Sequence, residues 1–403
     1  MHSRASSMQT QVIRSYDKMI LLAMIALIVF GTVMIYSSTG VVVPAQEKKS
    51  ITEFYYVKRH LITMVLGTIA LLVAYRFQAA DLEKIAVPLL IFSGILLVLV
   101  FVPGISLKAG GARRWLRLGI MTFQPSELVK LAMVMYLAKY LSSPDYDANS
   151  FKSFIKPLSI MALFQAVFLK QPDFGATMSL FILTMGMLFI SGTRIRYIAS
   201  LLLLAIPVVI KLALEPYRLK RITTFLDPTK DPLGSGFQLL QSFISLGSGG
   251  LTGLGLGESK QKLAYLPAKH TDFIFSLVGE ELGLLGATVV IALFVFLFVR
   301  GVTIANRTKD RFHFFLAYGL IIMIAVQALV NFAVVTGMVP TKGLPLPFMS
   351  YGGSALLVNM TVIGLLLRIS RGDDPRPAQI GDRNLIARKA ARRSIYSSQG
   401  AVR

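Results

Sequence analysis

Asp272 is the residue of this chain best placed to do chemistry. It stands in the run His270-Thr271-Asp272-Phe273-Ile274-Phe275, where a polar, Gly-rich stretch gives way to a long apolar one. A carboxylate on such a border, close to an imidazole and an aromatic wall, has a pKa open to tuning and could serve as a general base. A second pair of groups lies in Gln124-Pro125-Ser126-Glu127-Leu128-Val129-Lys130. Pro125 suits the first turn of a helix, and Glu127 and Lys130 then share one face. Lone charges just inside a membrane are costly, so the two are either an ion pair that helps a helix pack or a pair lining a polar cavity.

Cationic groups gather around these carboxylates in the sequence. Lys108, Arg113, Arg114 and Arg117 crowd one short segment, and Trp115, the only Trp, stands among them. Arginines can grip phosphate through two N–H groups at once. Trp115 reads either as an interfacial anchor or as a platform for a sugar face. The 337–354 segment holds three prolines and four glycines, with Lys342 as its only charge. Irregular backbone at membrane depth is tolerated where protein buries it or where it lines a wet cavity. Lys342 either snorkels or meets a substrate.

The elements that must position these residues are membrane helices. The chain has 403 residues, is 54% hydrophobic and has a mean hydropathy of +0.65. Its apolar residues come in long blocks, which excludes an ordinary soluble domain and predicts an all-α integral membrane protein. Ten spans are expected, at 19–36, 61–75, 85–102, 126–141, 157–169, 177–190, 197–214, 272–298, 312–336 and 350–367. The shorter ones should extend into their flanks. The block 19–36 reads as a retained first helix and not as a cleavable signal. Cysteine is absent, so disulfide and thiolate chemistry are excluded. A net charge of +22 on a membrane protein points to anionic headgroups and substrates, not to nucleic acid.

The expected organisation is an N-terminal tail at 1–18, a polytopic domain at 19–368 and a basic tail at 369–403, with both termini in the cytoplasm. The 215–271 loop between helices 7 and 8 lies outside and is too long for a simple connector. Phe237, Leu239, Leu240, Phe243 and Ile244 recur at helical spacing there and predict a short amphipathic helix in the interface. Gly247, Gly249, Gly250, Gly253, Gly255 and Gly257 follow, as a flexible loop or as backbone N–H nests for phosphate. Outer loops are unusually basic for translocated segments, which suggests that they bind an anion. Pro172 and Asp173 suit a helix start. Glu280 and Glu281 lie about 12 Å beyond Asp272 along a helix, too deep to act with it, and are expected in interhelical hydrogen bonds.

Five motifs occur together and in order: Gln124 to Glu127, Gln171 to Gly175, His270 to Phe275, Glu280 to Gly283, and Ser350 to Ser354. In this set the chain resembles the SEDS family (shape, elongation, division and sporulation) over nearly all of 19–368. Pro340-Thr341-Lys342-Gly343, leading into Leu-Pro-Leu-Pro-Phe-Met, is more similar to the division branch than to the elongation branch. Ala268 departs from that branch, which more often has Glu there. The resemblance implies a peptidoglycan glycosyltransferase that polymerises lipid II outside the bacterial cytoplasmic membrane, at the septum. It implies an undecaprenyl-pyrophosphate-linked glycan as donor. It also implies a class B penicillin-binding protein and other divisome proteins as partners.

The same resemblance makes Asp272 the essential acid. It also places Glu127 and Lys130 in the cavity of that acid; with Gln124, Ser126, His270, Lys342 and Ser350 from the motif segments, and Arg113, Arg114 and Trp115 from the basic segment, they form the candidate substrate-binding set. A divalent cation, Mg2+ or Mn2+, could assist the pyrophosphate leaving group. Three alternatives stay open on the residues alone: a lipid II flippase, the elongation-type polymerase, and a scaffold without chemistry.

Overall fold

A computed structural model describes residues 16–39, 55–109, 112–119, 121–232, 234, 236–259, 271–341 and 343–372. Every expected span coincides with a helix. In chain order these are α1 (Lys18–Thr39), α2 (Tyr55–Arg76), α3 (Ala79–Leu99), α4 (Pro125–Ser142), α5 (Phe151–Lys170), α6 (Phe174–Ile190) and α7 (Ile195–Ala213), each starting or ending beyond its apolar block. Two shorter helices follow, α8 (Pro216–Leu226) and α9 (Phe237–Ser248). Then come α10 (Ile274–Arg307), α11 (Arg311–Val335) and α12 (Gly353–Arg371). Among the described residues seven helices are long and apolar enough to cross a membrane unaided. α6 is apolar but shorter, and α4 carries Glu127, Lys130 and Lys139.

The charged helix is the central one. α4 packs against α3, α6 and α11 and is buried almost all round, from Pro125 to Leu141. A helix shielded by protein on every side can hold a charge pair that lipid would not tolerate. The peripheral helices show the reverse. α1 turns Met19, Leu22, Ile25, Val29 and Val33 outward, and α7 exposes Leu202, Leu203, Leu204, Ile206 and Ile210. Those stripes are the surface offered to acyl chains.

Helix ends are capped by the residues their chemistry favours. Asp17 accepts from the N–H groups of Met19 and Ile20, and Asp310 from that of His313. Asp173 accepts from Ala176 N at 3.1 Å, so the helix start expected at Pro172 and Asp173 forms.

One element departs from the all-helical expectation. Ser106–Ala109, Ala112–Leu118 and Met121–Phe123 form an antiparallel sheet in the order β1-β2-β3. It precedes α4 directly and sets the approach to Gln124. The sequence carried a signal for it: Gly110-Gly111 between two strand-length runs is a two-residue hairpin spacing.

Candidate active site

Asp272 sits on a turn just ahead of α10, and the hydrogen bonds of three side chains hold that turn and the segment facing it. Asn331 Nδ2, from α11, donates to Asp272 O at 2.8 Å and to Leu344 O at 2.8 Å. Ser350 Oγ donates to Thr271 O at 2.5 Å and accepts from Leu346 N at 2.8 Å. Gln327 Nε2 holds Pro345 O at 2.9 Å. The turn that carries the acid and the irregular 343–350 segment are thereby laced together. The lacing is tight: a methyl group built on Gly343 would lie 2.9 Å from Asp272 Oδ2. Phe348 takes a left-handed backbone, φ 65°, in the same segment, a conformation that persists where surrounding bonds over-determine it.

Asp272 is half-buried by accessible surface, yet protein mass surrounds it on most sides. Desolvation by that burial pushes its carboxyl up from 3.8 to about 6. Such an acid is substantially ionised at neutral pH and still basic enough to accept a proton from a hydroxyl.

The half-helix behind Asp272 explains the Gly-rich run. α10 is broken at Gly283, whose φ is 64° and ψ −161°. The break frees backbone groups on both sides, and the Gly-rich turn satisfies them. Leu254 N and Gly255 N donate to Glu280 O and Glu281 O, each at 3.0 Å. Leu284 N and Leu285 N donate to Gly250 O and Leu251 O at 2.9 and 3.1 Å. Contact is so close that a methyl on Gly253 would fall 2.2 Å from Glu281 O. The phosphate-nest reading of this run is therefore corrected for Gly253 and Gly255, whose amides are committed to Gly249 O and Glu281 O.

α9 forms at the expected place but does not simply lie in the interface. Its Ser242 meets Ser276 Oγ at 2.7 Å and Val335 O at 2.8 Å, and its Ser245 bonds to Ser276 O and Glu280 Oε2. Glu280 also accepts from Ser259, at 2.6 Å, and Glu281 from Ser37 of α1, at 2.6 and 2.8 Å. Both glutamates are interhelical fasteners, as their depth implied.

Glu127 and Lys130 form an ion pair at 2.8 Å, and both are buried. Glu127 Oε2 and Ser126 Oγ are buried with no partner among the described residues. Gln124 is a brace: its N–H donates to Ser354 Oγ at 2.8 Å, and its Nε2 to Asp173 Oδ2 at 3.2 Å. The two arginines have parted roles. β1 and β2 slip register between Leu107 and Lys108, so Leu107 faces Trp115 while Lys108 faces Arg113. Arg114 is the residue between, and it turns to donate to Gln171 O at 3.2 Å and to Pro172 O. Arg113 stays exposed beside Lys108, and Trp115 is half-buried. An anion could meet Arg113, whereas Arg114 is already bound to the α5–α6 turn. His270 and Lys342 lie outside the described residues; Thr341, next to Lys342, accepts from Arg221 at 3.0 Å. Among the described residues no group of three or more carboxylates and imidazoles could hold a metal.

Residues 17–374 match a family model named FTSW_RODA_SPOVE and described as "Cell cycle protein". The chain belongs to the FtsW/RodA/SpoVE family. It is a multi-pass membrane protein of the SEDS kind. Over 360 residues it is 44% identical to a "Probable peptidoglycan glycosyltransferase FtsW" of Geobacter metallireducens, covering 89% of this chain and 95% of that one. It is 39% identical to "Stage V sporulation protein E" of Bacillus subtilis, covering 89% and 97%. Among solved structures, a chain from "Structural coordination of polymerization and crosslinking by a peptidoglycan synthase complex" superposes with a TM-score of 0.73 at 29% identity, covering 88% and 98%. The rod shape determining protein RodA of Thermus thermophilus does so with a TM-score of 0.64 at 25% identity, covering 88% and 97%.

Ser350, a candidate substrate-binding residue by sequence, is spent on Thr271 O and Leu346 N instead, and two further side chains that hold the turn, Gln327 and Asn331, lie outside every motif. Gln327 and Asn331 are polar residues one helical turn apart within an apolar span, and intramembrane polar residues at such spacing are the signal that could have found them.

Proposed function

We propose that this chain is a peptidoglycan glycosyltransferase that polymerises lipid II at the outer face of the cytoplasmic membrane, with Asp272 as its general base. The observation that carries this reading is the Asp272 carboxylate itself: desolvated to a pKa of about 6 and pinned through backbone at the head of a half-helix. In the reaction, Asp272 takes the proton of the 4-hydroxyl of the acceptor lipid II as that oxygen bonds to the donor's anomeric carbon. The bond from that carbon to pyrophosphate breaks, and its electron pair leaves with undecaprenyl pyrophosphate. Attack opposite an α-linked leaving group gives a β-1,4 bond with inversion. Negative charge grows on the pyrophosphate as it departs, and cationic groups placed there lower the barrier. Arg113, with Lys108 across the strand pair, is the exposed cationic pair for that role. Glu127 Oε2 and Ser126 Oγ are an acceptor and a donor without a partner among the described residues; both are buried, so they would meet sugar hydroxyls or amides only once the site opens around substrate.

The relatives named FtsW support a role in septal synthesis, and the solved synthase complex supports a class B penicillin-binding protein as partner. Both termini are placed in the cytoplasm in this reading, and Asp272 and the hairpin on the far side. Purified protein is mixed with lipid II, with and without the cognate class B partner, and glycan strands are resolved by gel. Partner-dependent polymer is the expected result. Lipid II that crosses vesicle membranes without polymerising would instead mean a transporter.

A further inference from the structure

We propose that Asn331 is the positioning residue of Asp272: its side-chain amide sets the turn before α10 against the 343–350 segment, and so fixes where the Asp272 carboxylate stands. The inference rests on the reading of Asp272 as general base. Asn331 is 1% exposed. Its nitrogen carries two hydrogens, and both are spent on backbone, one on Asp272 O and one on Leu344 O. Both partners are carbonyl oxygens, so the amide must turn its nitrogen to them. One atom therefore ties two segments that lie far apart in sequence and whose contact makes the site.

Leu344 adjoins Gly343, where an added methyl would lie 2.9 Å from Asp272 Oδ2. Fixing Leu344 to Asp272 through Asn331 thus fixes Gly343 against the carboxylate. Gln327, one turn earlier on α11, holds the next carbonyl, Pro345 O, and keeps the segment from swinging about Asn331. Ser350 ties the neighbouring residue, Thr271, from the other end of the segment. Asn331 does not bond the carboxylate and is no catalytic residue; it acts through the backbone of the residue that is. A displacement of about 1 Å in a catalytic group can cost about 10²-fold in rate. The loss should appear in kcat and not in KM, because Asp272 engages the proton only in the transition state.

The test uses the full chain with its class B partner and purified lipid II. Asn331→Leu keeps roughly the volume and removes both donors; Asn331→Ser keeps at most one. Asn359→Leu is the control, because Asn359 is also fully buried and neither of its amide atoms has a partner among the described residues. The expected result is a fall in kcat of about 10- to 10²-fold for Asn331→Leu, with KM within about twofold. Asn331→Ser should fall between, and Asn359→Leu should keep its kcat. Wild-type kcat in Asn331→Leu overturns the proposal, as does an equal loss in Asn359→Leu or a loss confined to KM. If Asn331→Leu does not accumulate as folded protein, Asn331→Ser decides by the same split. Asp272→Asn runs in parallel. Wild-type turnover there removes the base assignment and this inference with it, whereas an inactive Asp272→Asn beside a fully active Asn331→Leu removes this inference alone.

Discussion

At Asp272 the same burial that suits the group for catalysis opposes folding. The carboxyl rises from 3.8 to about 6 because the ionised form is desolvated. The folded state therefore holds that proton more tightly than the unfolded chain does. No penalty is felt below the unfolded value; it grows as pH climbs through about 6 and is complete at neutral pH. The difference corresponds to about 3 kcal/mol at most. Asp272→Asn should then raise the thermal unfolding temperature in detergent at pH 7.5 and have little effect at pH 4. Equal stability of the two proteins at both values would contradict the burial. Turnover has the opposite slope. The proposed base would work ionised, so the rate should rise with pH through an apparent pKa near 6 and level above it. Glu127 and Lys130 make a different prediction. Breaking a buried pair leaves an uncompensated charge, so Lys130→Met should cost about 3–5 kcal/mol, and adding Glu127→Gln should restore part of it. Thermal unfolding of the two single variants and the double one measures this.

Among the elements, the break in α10 has the most consequence. The apolar run announced a helix here, and nothing in its periodicity announced that Gly283 would interrupt it. The cause is tertiary: the Gly-rich turn supplies four backbone hydrogen bonds that replace the ladder. A methyl at Gly283 would come 2.4 Å from Gly253 N while the backbone holds φ 64°. Gly283→Ala should therefore lose the folded state or weaken it by at least about 3 kcal/mol, strain and overlap combined. Gly104→Ala is the comparison, with φ 91° and nothing within 4 Å of the added carbon. Strain alone should cost it about 1–2 kcal/mol. Similar losses in both variants, read by thermal unfolding, would show that the contact with Gly253 does not matter. The other elements were legible to different degrees. Apolar block length and the helix start at Pro172 and Asp173 are local signals, and they placed the helices; the caps at Asp17 and Asp310 emerge only in the structure. The β-hairpin was legible too, in Gly110-Gly111, but an all-helical frame hid it.

For the whole molecule, composition and five ordered motifs were enough to reach a SEDS membrane protein. Positions made by contacts between distant segments were not legible. Arg113 and Arg114 are neighbours in sequence and look like one phosphate clamp, yet the register slip in the hairpin sends Arg114 to the α5–α6 turn. Asn331 looks like one more polar residue in a span until its two carbonyl partners are seen. The division of labour between the arginines is testable. Lys108→Ala with Arg113→Ala should weaken lipid II binding and flatten its salt dependence without unfolding the protein. Arg114→Ala should instead lower stability by freeing the turn. An unchanged salt profile in the first variant would discard the anion-binding role of the hairpin.

The most direct measurement is the rate of lipid II polymerisation by the purified protein with its class B partner, for wild type and Asp272→Asn at saturating substrate. A carboxylate base contributes about 10²–10⁴-fold, so the variant should lose at least about 10² in kcat while lipid II affinity stays within about twofold. Polymer formed by Asp272→Asn at the wild-type rate would contradict the account.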